Sequence, residues 1–421
     1  MNADPRRVDP RRRAVVTGWG AITPLGNDAD TYWRNLAAGM SGVGPITQFD
    51  ASAEEVRIAA EVRDFDPAAF MDFKAARRMA RFSQFAVAAA AQAIAGSGLE
   101  VTDANRDDIG VVVNTGGGGL EEVADGQMTY MQRGGQRVSP FMVPMLSASM
   151  AACQISILNK LRGPVITSVA ACASGVQAFI EAQRLIQHGD AEVVITGGTE
   201  SALMPVAFAA LANMGALSKR NDDPAGASRP FDATRDGFVY GEAAGVVVVE
   251  SAEHAERRGA QVWAEVAGGA MTGDAFHISA PEPSGYGAAR AMQRALRDAG
   301  LEPEAVDVVF AHGTSTPLND ATETKAIHSA FGDHARRLAV TSNKSMLGHT
   351  LGAAGAMSAL AAIGAIRDGV IPPTINYATP DPDCDLDYVP NVARRATVNV
   401  AIVNGFGFGG QNAVAVFRRY E

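Results

Sequence analysis

Cysteine is nearly absent from this chain: three occur in 421 residues, unevenly spaced. That excludes a disulfide framework and a cysteine zinc site, and predicts a reducing, cytoplasmic setting. Aromatic residues are also scarce, at 6%, while Gly and Ala are abundant. Such a composition suits closely packed helices and tight turns better than a Trp- and Tyr-rich binding surface. Positive charge is in deficit, with 36 Lys and Arg against 46 Asp and Glu and a net charge of −10. A nucleic-acid partner is therefore not expected, because neutralising phosphates requires a basic face. No long hydrophobic run is present. The longest weakly polar stretch, LGAAGAMSALAAIGAI (351–366), falls short of the roughly 18 apolar residues of a membrane span. No membrane association is expected, and its small residues predict a helix buried in a core. The opening MNADPRRVDPRRR is charged without a following apolar segment, which predicts a solvated arm and not a secretory signal.

What the chain does contain is an alternation of short Val/Ile-rich runs with helical patterns. RAVVTG (13–18), IGVVVNTG (109–116), EVVITGG (192–198), GVVVVE (245–250), VDVVFAHG (306–313), LAVTSN (338–343) and VNVAIVNG (398–405) read as strands. Their near-continuous apolar character predicts sheets covered on both faces. Helices are expected over 81–97, 174–188, 287–299 and 320–330, which makes the fold α/β with layered sheets. The charged segment SAEHAERRGA (251–260) separates two halves of similar rhythm, 1–260 and 261–421. An internal duplication is expected, although sequence pattern alone does not establish it.

In VITSVAACASGVQAF (165–179), strand character gives way to a helix whose apolar residues recur at Val176, Phe179, Ile180, Ala182, Leu185 and Ile186. Cys172 stands at the join. Free N–H groups and the positive end of a helix favour a thiolate there, as a nucleophile needs, and the strand-to-helix turn is similar to a nucleophile elbow. A small buried hydrophobe is the equally weighted alternative. Cys153, in SASMAACQISI, has no charge near it and is expected in the core; Cys384, in DPDCDLD, lies among acids that should raise its pKa.

A nucleophilic thiol needs basic partners. Of seven histidines, His188, His254, His328 and His334 read as surface residues, and His277 is undecided. His312 ends an apolar strand and opens the loop HGTSTPLND; His349 follows another strand in SNKSMLGHTLGAAG. Both fall where sites gather in α/β sheets. Lys344 follows the same strand end as His349, and an ion pair with Glu323 is expected, since a buried lysine is rare without a partner. GFGFGG (405–410) matches the spacing of a dinucleotide fingerprint, but too little chain follows it for another helix, strand and acid. A tight turn bringing backbone N–H groups to a reacting centre is the better reading.

Together, AACASG around Cys172, HGTSTP at His312, SNKSMLGHTLGAAGA holding Lys344 and His349, and NGFGFGGQNA resemble the β-ketoacyl-acyl carrier protein synthases. The similarity runs from AVVTGWGAITPLG to the last strand. It implies a thiolase-like fold of duplicated halves in an α-β-α-β-α layering, and a decarboxylative condensation that extends a carrier-bound acyl chain by two carbons. By resemblance, Cys172 is the acyl-accepting nucleophile and His312 and His349 hold the malonyl thioester. Lys344 and Glu323 order that network. Thr314, Thr316 and Phe406 lie along the substrate path. Phe408 gates it, its N–H forming an oxyanion hole with that of Cys172. No metal or cofactor is implied beyond the phosphopantetheine arm of the acyl carrier protein.

The same resemblance implies a dimer, either of identical chains or with a homologous chain-length factor. Carrier proteins are acidic, and Lys74, Arg77, Arg78 and Arg81, at i, i+3, i+4 and i+7, would form a cationic helix stripe for docking. Gly117 stands where related fatty-acid enzymes often carry a bulky residue at the acyl pocket, so a wider channel is expected. Gln411 replaces a more usual threonine. With NDDPAGASRPFDATRDGF and LNDATET, Gly117 tilts the expectation towards bacterial type II polyketide systems, with fatty-acid elongation as the alternative. A degradative thiolase would need a second catalytic cysteine, and a non-catalytic chain-length factor would lack Cys172.

Overall fold

The computed structural model describes residues 12–421. Ten strands carry the fold: β1 (Ala14–Ile22), β2 (Ile109–Asn114), β3 (Val165–Ile166), β4 (Val193–Glu200), β5 (Ala243–Ser251), β6 (Ala264–Gly273), β7 (Val308–Phe310), β8 (Ala339–Thr341), β9 (Val400–Gly407) and β10 (Gln411–Arg418). Their order across the sheet is β8-β7-β9-β10-β6-β1-β5-β4-β2-β3. Split at the centre, each set of five has the same plan. The second strand lies parallel between the third and the fourth, the fifth runs antiparallel beside the fourth, and the first closes the row. This repeated topology establishes the duplication that pattern alone left open. The sets meet where Ala14–Val16 of β1 pairs with Ala264–Val266 of β6.

Six helices cover the sheets: α1 (Arg81–Ser97), α2 (Met150–Asn159), α3 (Ser174–His188), α4 (Tyr286–Ala299), α5 (Pro317–Phe331) and α6 (Ala354–Asp368). Helices α1 and α2 lie outside the first set of strands and α4 and α5 outside the second, while α3 and α6 pack between the two. The layering is thus α-β-α-β-α. Residues 354–366 of α6 are buried on every side, as expected of a small-residue helix in a core. It crosses α3 backbone to backbone: a Cβ on Gly175 would lie 2.5 Å from the Ala356 nitrogen, and one on Gly355 would lie 2.4 Å from that of Val176.

The seven expected strands and four expected helices are all present, with ends shifted by a few residues. β6 was not foreseen because AEVAGGAMTG carries few β-branched residues. Its glycines make room: a Cβ on Gly268 would meet Ala299 of α4, and one on Gly269 would meet Ile180 of α3. The helix Leu120–Arg133 also lacked a signal, since none of its residues is buried. The segment 251–260, with its helix Ala252–Arg257, carries the chain from one set of strands to the other. Of the expected N-terminal arm, residues 1–11 lie outside the described residues. Its last two, Arg12 and Arg13, are not free but paired with Glu192 and Glu265.

Candidate active site

Cys172 lies in a tight 3₁₀ turn, Ala171–Ala173, directly ahead of α3. Ala171 adopts φ 48°, a left-handed conformation that costs a non-glycine residue about 1–2 kcal/mol. The turn is braced by Ser174, whose hydroxyl accepts from the Ala170 N–H at 2.8 Å and lies 2.7 Å from the Ala171 carbonyl and 3.0 Å from that of Thr115. The end of β9 closes on the other side. Gly407 is required there, because a Cβ would stand 2.6 Å from the Ala170 carbonyl oxygen. The approach lets the backbone N–H of Phe408, with that of Cys172 itself, donate to the sulfur.

The expectation of a readily ionised thiol is corrected here. Burial pushes Cys172 up to about 12, overriding Lys344 and the two N–H groups, and nearby Glu200 adds to the rise. Among the described residues only one cluster could hold a metal ion, and it consists of Cys172, His312 and His349, whose ligand atoms lie within 4.8 Å of one another. The two imidazole rings stand 5.4 Å apart at 84°. Burial first, then the charge of Lys344, holds both well below the usual histidine range, so both are neutral.

His312 follows β7, and its backbone is fixed by Glu323 of α5. The carboxylate accepts the N–H of His312 at 2.8 Å and of Gly313 at 2.7 Å, and is held by the Asn404 amide at 2.9 Å. His349 follows Gly348, at φ 64°, and its N–H donates to the Val239 carbonyl at 2.6 Å. The edge of Phe238 packs on its ring at 5.1 Å. Lys344 begins the short buried helix Lys344–Leu347. Burial lowers its ammonium to about 8, against the opposing pull of Glu323, Cys172 and Asp320. The expected Lys344–Glu323 ion pair does not form: no salt bridge joins them among the described residues, because both Glu323 oxygens serve backbone N–H groups.

A cleft of ≈ 390 Å³ is lined by Cys172, His312, His349, Thr314, Thr316, Phe406 and Phe408. The hydroxyls of Thr314 and Thr316 bond each other at 2.9 Å, and Phe406 faces the His312 ring at 5.7 Å. Gly117 is not in this lining. A Cβ there would meet Leu120 Cδ1 at 2.8 Å, so Leu120 takes up the space that the missing side chain was expected to open.

The cationic stripe is also corrected. Residues 73–76 and 81–97 form two separate helices with a break between them. Arg81 is held by Glu242 at 2.8 Å and lies over the Phe85 ring. Lys74, Arg77 and Arg78 remain exposed, around a Phe73 that is 69% exposed. Cys153 is half-buried and not part of the core. The Cys384 thiol is raised to about 12, chiefly by burial, with Asp320 and Asp381 adding to it. Of the other histidines, His188 and His277 are exposed. His254, His328 and His334 are half-buried and bonded to Glu250, Asp385 and the Val306 carbonyl.

Sequence reading missed Asn404, Ser174 and Glu200. The last was legible as a lone acid ending an apolar strand in VVITGGTE.

A thiol on a strained turn and two neutral imidazoles line one cleft, with buried Lys344 acting on all three, in a thiolase-like fold. The chain belongs to the β-ketoacyl synthase family: residues 11–255 match its N-terminal domain and 263–378 its C-terminal domain. It is 51% identical over 411 residues to a 3-oxoacyl-[acyl-carrier-protein] synthase 2 of Synechocystis, covering 98% of this chain and 99% of that protein. Among solved structures it is similar to the ishigamide ketosynthase/chain length factor, with a TM-score of 0.91 and 37% identity over 98% of this chain and all of that one. It is also similar to a type II polyketide ketosynthase in complex with its acyl-carrier protein, with a TM-score of 0.88 and 32% identity over 97% of this chain and all of that one. The protein is accordingly an acyltransferase of the ketosynthase class, using substrates borne on acyl carrier protein. No helix among the described residues is long and apolar enough to cross a membrane.

Proposed function

We propose that this chain elongates a carrier-bound acyl chain of the fatty-acyl type by two carbons, in the cytoplasm. The observation that carries the chemistry is the convergence of Cys172, His312 and His349 within 4.8 Å at the cleft. Fatty-acyl substrates are favoured by the 51% identity to a 3-oxoacyl-[acyl-carrier-protein] synthase 2. A polyketide role, the other reading, is favoured by the likeness to the type II polyketide ketosynthase bound to a hexaketide.

In the first step Cys172 sulfur bonds to the acyl carbonyl, the carrier thiolate leaves, and it takes the proton that the cysteine gives up. The Phe408 and Cys172 N–H groups receive the oxyanion. Because the resting thiol is held up to about 12, its proton departs during the attack, with a neutral imidazole as the base within reach. In the second step malonyl-carrier protein loses carbon dioxide, and the bonding pair becomes an enolate stabilised by the histidine N–H groups. Its carbon then bonds to the acyl carbon, Cys172 leaves as thiolate, and a solvent proton restores the thiol. Neutral rings suit this role, since each keeps one N–H to donate. Lys344 lowers both rings and eases the negative charge on sulfur, while Glu323 fixes the backbone of His312. Thr314 and Thr316 line the path for the phosphopantetheine arm, with Phe406 and Phe408 beside it.

The exposed patch of Phe73, Lys74, Arg77 and Arg78 is our docking surface for an acidic carrier protein; Arg81 is not part of it. A dimer, with a second copy or a homologous chain-length factor, would cover Val165 and Val169 at the free edge of β3 together with Ile157 and Leu158, all exposed here. We divide the chain into halves at 260/261, supported by the family matches that end at 255 and resume at 263. The test is to supply the pure protein with malonyl-carrier protein and carrier-bound starters, saturated or poly-β-keto. Intact-mass analysis of the carrier should reveal two-carbon extension of the saturated starter. Extension of the poly-β-keto starter alone would move the assignment to polyketide synthesis, and extension of neither would sink it.

A further inference from the structure

Glu200, the last residue of β4, is buried beside the nucleophile turn and belongs to no step above. One carboxylate oxygen accepts the N–H of Gly116 at 2.7 Å and of Gly352 at 3.0 Å. The other accepts the Thr115 hydroxyl at 3.1 Å and the Gly117 N–H at 3.2 Å. Residues 115–117 follow β2 in the first half; Gly352 is the middle residue of the turn Leu351–Ala353 before α6 in the second. The carboxylate therefore bridges the halves, and through the Thr115 carbonyl it reaches Ser174, which braces the Cys172 turn.

We propose that Glu200 is a positioning residue for the nucleophile, its carboxylate tying the loop after β2 to Gly352 so that the Cys172 turn stays aimed at the cleft. Four groups converge on it, and three are backbone N–H groups that can only donate and that bond most strongly to an anion. A protonated carboxyl would have to turn its O–H onto the Thr115 hydroxyl and would hold the three N–H groups less strongly. Burial holds this carboxyl up to about 7, so the brace assembles as pH rises through neutrality. Its charge also opposes the Cys172 thiolate. The other titratable groups around it are Tyr240, three residues before β5, with Glu121 and Glu242 beyond it. Lys344 acts on the sulfur in the opposite sense.

The inference rests on Cys172 as the nucleophile, and its test separates charge from reach. In the full-length protein, Glu200→Gln removes the anion and Glu200→Asp keeps it on a shorter arm. Iodoacetamide alkylation of Cys172, followed by peptide mapping across pH, reads the sulfur without requiring condensation. Glu200→Gln should alkylate at lower pH than the wild type, while its kcat for condensation falls about tenfold or more through lost positioning. Glu200→Asp should lose kcat with its alkylation profile unmoved. Loss of kcat in both variants with both profiles unmoved would mean a merely structural role and overturn the proposal, as would wild-type kcat in either. Should Glu200→Gln fail to fold, Glu200→Asp decides by kcat and urea unfolding together: lost kcat at wild-type stability supports the proposal, while wild-type kcat, or kcat lost in step with stability, overturns it. A wild-type protein that extends no carrier-bound chain would instead defeat the ketosynthase reading, leaving the alkylation shift as its own result.

Discussion

The turn carrying Cys172 has a twin. Ala171–Cys172–Ala173 precedes α3, and Leu351–Gly352–Ala353 precedes α6. Both are 3₁₀ turns that open on a left-handed non-glycine residue, with φ 48° at Ala171 and 41° at Leu351. Both lead into 15-residue helices that end on a left-handed glycine, Gly189 or Gly369. Cys172 and Gly352 are equivalent positions with opposite surroundings. The first faces the cleft. The second faces the other half, where a Cβ would stand 2.1 Å from the Gly116 nitrogen and 2.7 Å from Glu200 Oε2. Duplication supplied two strained turns, and packing at the interface left room for a reactive side chain on only one. The second half contributes the histidines and lysine around that thiol. The clamps are paired too: Glu200 binds the N–H groups of Gly116 and Gly117 after β2, and Glu323 those of His312 and Gly313 after the equivalent β7.

The sharpest way to break this contrast is to remove the thiol. Cys172→Ala should abolish acyl-enzyme formation, read as the absence of any mass gain on the intact protein incubated with acyl-carrier thioester. Cys153 and Cys384 remain in that variant, so acylation persisting at either would overturn the assignment.

The next effect lies at the strand end that only the cysteine turn receives. Gly407→Ala would press a methyl against the Ala170 carbonyl oxygen and displace the Phe408 N–H from the sulfur. Loss of one oxyanion donor typically costs about 10²–10³ in kcat. Steady-state kinetics should therefore show a fall of about 10² with little change in KM. A wild-type kcat would mean that this N–H does not meet the developing charge.

Gly352→Ala tests the twin. Its clash is with backbone across the halves, so the expected loss is stability, about 1–3 kcal/mol by urea unfolding. A Gly352→Ala protein as stable as the wild type would show that the interface between halves yields more readily than its glycine contacts imply.

Much of this was legible beforehand, for identifiable reasons. Val- and Ile-rich strands buried on both faces announce themselves, and the spacing of α1 and α3 reads directly. The cysteine and histidine positions follow from where strands stop. Three things were hidden because they depend on contacts remote in sequence. The pKa of Cys172 is set by how completely the second half covers it. Glu323 is drawn from Lys344 by the N–H groups of a loop. The space beside Gly117 is decided by Leu120, three residues on. The cationic stripe failed for a local reason: ideal helical spacing was read through Arg77–Ala80, where the chain breaks between two helices.

The smallest expected effect concerns another difference between the halves. The segment entering α1 ends on exposed Lys74, Arg77 and Arg78, after the exposed acids Asp64, Asp66 and Asp72, whereas the segment entering its equivalent, α4, has half-buried Asp274 and Glu282 and no such cationic cluster. On the proposed docking surface an acidic carrier protein would meet these three cations. Arg77 and Arg78 are exposed and lie over the Phe73 and Phe141 rings, with no carboxylate partner among the described residues. Each exposed charge pair is worth about 0.2–1 kcal/mol. The double reversal Arg77→Glu, Arg78→Glu should accordingly raise KM for carrier-bound substrate by about three- to tenfold. kcat and turnover of a small acyl thioester should stay unchanged. At about 1 M salt, where the Debye length shrinks to about 3 Å, the difference between variant and wild type should nearly vanish. An equal loss on the small thioester would mean that the reversal disturbs the fold beneath the patch, and an effect indifferent to salt would mean that contacts other than charge hold the carrier there.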